Sequence, residues 1–411
     1  MVKHKNYSNG LNLIVCEGGA ISCSFSIMIG TGSVNETQKN NGISHYIEHM
    51  NFKGNSLYSS YEITDIMDSS GASYNAYTSV ESTCFYAQTI VDSLEETFKI
   101  MAYSAFSSLY SDDEAKKEKG VIVEEINMSE DSPDDVCYDL MMKSFYGEDG
   151  YGRTILGPAE NVLGFTLENV KDYLSNFYVA ENVVISFAGN ITLDRAEELV
   201  NKYIMPLLSL NKKAPTPKHN TLCLKQNLVK NKDIEQAHIA MSFPTYNYGD
   251  INKINSEIAV GVLGGGMSSR LFRKIREEMG LAYSVYSYAS RYKTAGNINI
   301  YAGVNSSEYQ NAFDEILKLI EDIKKNGVTQ EEINKVKTGL KASTVYAQEK
   351  PLTLSQFYAA HFLKTQKIYD FEERIKSIES VNLSGVMEEF NKFDFSNMST
   401  AVVGKDVTSL K

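Results

Sequence analysis

Positive charge is in short supply in this chain: 40 Lys and Arg face 52 Asp and Glu, a formal net charge of −12. Such a balance argues against gripping a phosphate backbone, so nucleic acid is excluded as a partner class. Cysteine is sparse and scattered. Cys16, Cys23, Cys84, Cys137 and Cys223 form no Cys-x-x-Cys pair, and their odd number suits free thiols in a reducing compartment better than a disulfide framework. No run approaches the ~18 uncharged apolar residues of a membrane span, and the apolar stretch near the N-terminus is too short for a secretion signal. The expectation is a soluble, cytoplasmic protein with no membrane partner.

What remains is an ordinary globular composition, 43% hydrophobic and 22% charged over 411 residues, long enough for more than one domain. The most polar stretch lies mid-chain at 208–230, where Pro215 and Pro217 break any helix, and is read as a linker between domains at 1–207 and 231–411. The two halves repeat one order of elements. In the first, periodicity predicts a strand at 23–29, helices at 42–52 and 61–69, strands at 72–77 and 83–90, and an amphipathic helix from Leu94. In the second it predicts a strand at 238–243, helices at 252–263 and 269–278, strands at 283–290 and 296–302, and a helix from Tyr309. A period of about 210 residues signifies a duplicated α+β unit, each copy a mixed, mainly antiparallel sheet faced by helices.

Residues 45–49 read His-Tyr-Ile-Glu-His in a chain with only six histidines. At about 100° per residue, His45 and His49 lie roughly 40° apart on a helix, with Glu48 on the same side. Two imidazoles one turn apart can converge on one metal ion, while the neighbouring carboxylate reaches the position of a water. A third protein ligand is then needed. The helix expected over Asp112 to Asp131 has an apolar stripe at Ala115, Ile122 and Ile126, with Glu118 and Glu125 set among those positions. The two carboxylates are two turns apart, about 10 Å along the axis, so both cannot easily bind one ion. On an inward face they are costly unless paired, protonated or metal-bound; were the helix rotated, both would face water. Glu114, Glu124 and Glu130 read as exposed charges.

HYIEH followed by KEKGVIVEEINMSED resembles the pitrilysin and insulysin metallopeptidases, the inverzincins. HMNFKGN, GASYNAYTSVEST and GYGRTILGPAENV extend the likeness over nearly the whole chain, towards the branch of mitochondrial processing peptidase and its short bacterial relatives. The resemblance implies a zinc endopeptidase of clamshell form, holding one Zn²⁺ per chain, acting on short or unfolded peptides and pairing as a homodimer. The family spacing of about 76 residues selects Glu125 as the third ligand beside His45 and His49, with Glu118 as a supporting glutamate. Glu48 is the general base, taking a proton from the attacking water and passing it to the leaving amine.

Aligning Gly54 with Gly264 places Asn255, Ile258 and Ala259 where His45, Glu48 and His49 stand, so the second half is expected to bind no metal. FRKIREEMGLAYSVYSY in that half resembles the family's Arg and Tyr pair, seven residues apart, which implies that Arg276 and Tyr283 hold substrate carbonyls with Tyr283 near the developing oxyanion. By the same resemblance Asn75, Ala76 and Tyr77 form a substrate edge to which an extended peptide adds as a strand. Phe52 is a candidate wall for the residue beyond the scissile bond. Gly264, Gly265 and Gly266 lack the Lys-Ser/Thr ending of a phosphate loop and read as a flexible loop. Two other function classes stay open: a non-catalytic peptide-binding or scaffold subunit, and a metal-dependent hydrolase of a non-peptide bond.

Overall fold

The structure, a computed structural model, describes residues 1–208 and 212–410. Residues 209–211 of the expected linker and residue 411 lie outside the described residues. The chain forms two compact units, one of Met1–Ile126, Thr154–Lys218 and Tyr346–Tyr369, the other of Asn127–Arg153, His219–Val345 and Asp370–Lys411.

The first unit is built on β1 (Val2–Asn6), β2 (Asn12–Glu17), β3 (Ser22–Ile29), β4 (Ser73–Thr78), β5 (Thr83–Ile90) and β6 (Val183–Gly189), in the order β1-β2-β6-β3-β5-β4. Only β2 and β6 run parallel. Along β3 the alternate residues Cys23, Phe25, Ile27 and Ile29 enter the main apolar core, where Phe25 meets Phe98 of the helix Leu94–Phe106 edge-on at 5.0 Å. The opposite face carries Ser24, Ser26 and Met28, also buried, under the helix Pro351–Thr365; Ser26 Oγ lies 2.9 Å from Ser355 Oγ. Small side chains on this face let the helix lie close on the sheet, although the buried hydroxyls of Ser24 and Ser186 find no hydrogen-bond partner among the described residues.

The second unit repeats the plan with β7 (Asn227–Asn231), β8 (Gln236–Pro244), β9 (Ala282–Arg291), β10 (Gly296–Asn305) and β11 (Ser399–Gly404), ordered β7-β11-β8-β10-β9. Its polar inner face, with Ser242, Asn297, Asn299 and Ser399, is covered by the helix Pro133–Tyr146. Ser399 Oγ donates to Ser144 O at 2.9 Å, and Tyr146 OH to Asn297 Oδ1 at 3.1 Å.

Each sheet thus takes one cover helix from the other half of the chain, and the units are not the contiguous stretches 1–207 and 231–411. A sheet with two inward-facing surfaces needs helices on both. The predicted elements stand in their expected order, with one difference of winding. Phe272–Glu278 turns as a π-helix, Met279 N–H bonding Lys274 O at 3.2 Å, within the stretch expected as an ordinary helix at 269–278.

Candidate metal centre

The motif helix, Ile43–Met50, is placed by its apolar face: Ile43, Tyr46, Ile47 and Met50 enter the core, which leaves His45, Glu48 and His49 on the other side. Its start is fixed from outside the helix. Gly42, at φ +98°, lies where an added Cβ would meet Leu156 O at 2.5 Å. The buried Glu36 carboxylate accepts from the amides of Gly42 (2.8 Å) and Ser44 (2.9 Å), satisfying donors that a helix leaves open at its first turn.

The third donor comes from the helix Asp112–Asp131. Ile122 and Glu118 are buried, so the helix is not rotated to put both carboxylates in water. The two glutamates stand against different atoms. Glu125 Oε2 lies 3.7 Å from His45 Nε2 and 3.4 Å from His49 Nε2. Glu118 Oε1 lies 2.8 Å from the other ring nitrogen of His49, Nδ1, and its Oε2 lies 2.8 Å from Lys53 Nζ. One ligand atom each from His45, His49 and Glu125 falls within 4.8 Å of the others, the one such group among the described residues.

Electrostatics fit the same picture. Burial and the neighbouring His49 ring push His45 down to about 3, so it is a neutral imidazole at ordinary pH, ready to ligate. Burial acts downward on His49 too, but its hydrogen bond to Glu118 and the charges of Glu125 and Glu48 outweigh it and hold the ring above its usual value. Burial and the Glu125 charge raise Glu48, against the hydrogen bond from Thr78 Oγ1 at 2.6 Å. Burial would raise Glu118, yet its hydrogen bonds from His49 and Lys53 keep it low. Three carboxylates therefore surround His49 and one ammonium faces them. Two nitrogens, an oxygen and an excess of negative charge suit a divalent cation of zinc's kind.

Around this group, β4 is the last strand of its sheet, with its outer edge open among the described residues. Asn75 is exposed, Ala76 buried and Tyr77 half-buried along it. Phe52 is half-buried, its ring 6.2 Å from Tyr74 and 6.0 Å from Phe85, against the edge strand and its neighbour. In the second unit, the Arg276 guanidinium stands 4.7 Å over Phe272 and 5.4 Å over Tyr283, a residue 75% exposed. The sequence reasoning missed Glu36, Lys53 and Thr78. The first acts across a loop, and the other two look in sequence like ordinary polar positions.

Two readings of the second half change. Ile258 and Ala259 are wholly buried in its core, so they do not stand where Glu48 and His49 do. The face of the helix Lys253–Gly264 that lines a cavity of about 420 Å³ carries Glu257, Val260, Gly261 and Val262. Nor is the glycine run simply a flexible loop: Gly264 ends the helix, and a Cβ there would meet Ser287 N of β9 at 2.4 Å.

Comparison with known proteins identifies the family of the chain. Residues 17–159 match the insulinase family, peptidase family M16, and residues 164–340 match the peptidase M16 inactive domain. An uncharacterized zinc protease of Bacillus subtilis is 35% identical over 94% of both chains, and one of Rickettsia felis is 30% identical over 96% of both. In fold, a protease from Helicobacter pylori superposes with TM-score 0.92 at 23% identity, over 98% of this chain and 99% of that one. The chain belongs to the pitrilysin (M16) family of metallopeptidases.

Proposed function

We propose that this protein is a zinc-dependent endopeptidase of short or unfolded peptides, with His45, His49 and Glu125 holding one zinc ion per chain and Glu48 as general base. The observation that carries this reading is the convergence of the three donor atoms within 4.8 Å, with Glu48 on the same helix. When bound, zinc supplies Lewis acidity to a peptide carbonyl and acidifies a neighbouring water. The chain's own groups do the rest. Glu48 takes a proton from the attacking water as the new C–O bond forms, then delivers it to the amine nitrogen as the C–N bond breaks. Glu118 fixes the ring of His49 through Nδ1, leaving Nε2 to face Glu125.

The peptide adds to the open edge of β4 at Asn75, Ala76 and Tyr77, with Phe52 walling the residue beyond the scissile bond. Arg276 and Tyr283 donate to substrate carbonyls, Tyr283 to the developing oxyanion. The protein works in the cytoplasm as a homodimer; the scattered free thiols and the family likeness support these two points. The complete donor and base set weighs against a scaffold role. The test is metal analysis of the purified protein together with cleavage of a peptide library, with and without a chelator. Zinc-dependent cleavage that Glu48→Gln abolishes while zinc is retained supports the reading, and an active Glu48→Gln protein overturns it.

A further inference from the structure

Thr78 ends β4 and stands half-buried beside the motif helix. Its hydroxyl donates to Glu48 Oε2 at 2.6 Å, and its main-chain amide also faces that carboxylate. Among the described residues, no other side-chain hydrogen bond to Glu48 is present. One carboxylate oxygen is thereby held and the other is left to meet water, a division that a freely rotating carboxylate lacks.

The position of Thr78 on the strand adds a second consequence. Ser79 N–H bonds Ser82 O at 2.8 Å across the turn that joins β4 to β5. The alternation of antiparallel pairing then directs the main-chain groups of Tyr74, Ala76 and Thr78 away from β5, onto the open edge. Ala76 N–H donates to its neighbour's side chain, Asn75 Oδ1, at 2.8 Å, a contact within the strand and not across it. The Thr78 amide instead faces Glu48, so strand pairing along β4 stops there.

We infer that Thr78 is a positioning residue for the proposed hydrolysis, its hydroxyl fixing the carboxylate of Glu48 at the point where the substrate edge of β4 ends. The inference rests on the zinc-peptidase reading. It ties two functions that are separate in sequence, 30 residues apart: the strand that aligns the peptide and the base that serves the scissile bond.

The experiment is steady-state cleavage of one reporter peptide by the zinc-loaded full chain, comparing wild type, Thr78→Val and Thr78→Ser, with zinc content measured on each. Valine keeps the branched shape and loses the donor. We expect Thr78→Val to lose about ten-fold or more in kcat with KM changed less than about two-fold and zinc content intact, and Thr78→Ser to recover most of the rate. Wild-type kcat in Thr78→Val overturns the inference, as does a rate loss that tracks zinc loss or a serine variant no better than valine. Absence of zinc-dependent cleavage by the wild type overturns the peptidase reading itself, and Thr78's role with it.

Discussion

Lys53 Nζ and Glu118 Oε2 lie 2.8 Å apart, and the other oxygen of the same carboxylate lies 2.8 Å from His49 Nδ1. The lysine thus reaches the proposed metal site through two intermediaries, Glu118 and His49. It keeps Glu118 ionised despite burial, and an ionised Glu118 fixes which nitrogen of His49 carries the proton. Lys53→Met should therefore weaken zinc binding about ten-fold, near the lower bound for outer partners of metal ligands. Lys53→Arg should recover much of it. A chelator competition on the two variants reads the effect without any activity assay, and equal zinc affinity in Lys53→Met would remove the lysine from the site.

Gly42 places the motif helix by two independent constraints, a φ of +98° and a Cβ position 2.5 Å from Leu156 O. Neither can be met by alanine without moving backbone. Gly42→Ala is expected to cost about 2 kcal/mol or more in stability. Because the displaced residue caps the helix that bears His45, zinc binding should fall with it. Thermal unfolding with and without zinc measures both, and a variant as stable as the wild type would show that the loop at Leu156 yields.

Glu332 braces the helix Gln330–Tyr346 to Arg270, two residues before the π-helical turn that bears Arg276. Burial acts to raise Glu332, but bidentate contact with Arg270 and the amide of Thr329 hold it down at about 2. A carboxylate whose folded value lies below its unfolded one stabilises the protein above pH ~4.5 and loses that contribution as pH falls towards ~2. The contribution is about 2 kcal/mol after discounting for partial exposure. Glu332→Gln should lower stability at pH 7 and flatten its decline below pH 4.5. Urea titrations at several pH values test this; parallel declines in both proteins would refute it.

The candidate donor set was legible in the sequence because metal chemistry constrains spacing: His45, Glu48 and His49 must share one helical face. Between Glu118 and Glu125 periodicity alone could not choose, since both lie on the same side of one helix two turns apart. The order of elements was legible for a related reason, as β3, β5, β8 and β10 carry apolar runs with turn residues between them.

What sequence hid was pairing between distant segments. The helices Pro133–Tyr146 and Pro351–Thr365 each carry a proline at the first helical position, which marks a start and says nothing about which sheet they cover. The second-half alignment rested on a glycine match, whereas burial of Ile258 and Ala259 orients that helix in the fold. Thr78 was invisible for a different reason: a hydroxyl at a strand end is unremarkable until the Glu48 carboxylate it touches is placed beside it.

Tyr283 offers the sharpest test of the second unit's proposed role. A residue 75% exposed contributes little to the core, so replacing it should leave folding nearly unchanged. Arg276 stacks over that ring at 5.4 Å, and Tyr283→Phe keeps the stack while deleting only the hydroxyl. If the hydroxyl meets charge that develops during the reaction, kcat should fall by about 10- to 100-fold with KM little altered, since the interaction strengthens only as the barrier is approached. If it merely holds the peptide, KM should rise at constant kcat. A Tyr283→Phe enzyme with both parameters unchanged, and an unchanged melting temperature, would leave the tyrosine an ordinary surface residue and shift the search for an oxyanion donor elsewhere.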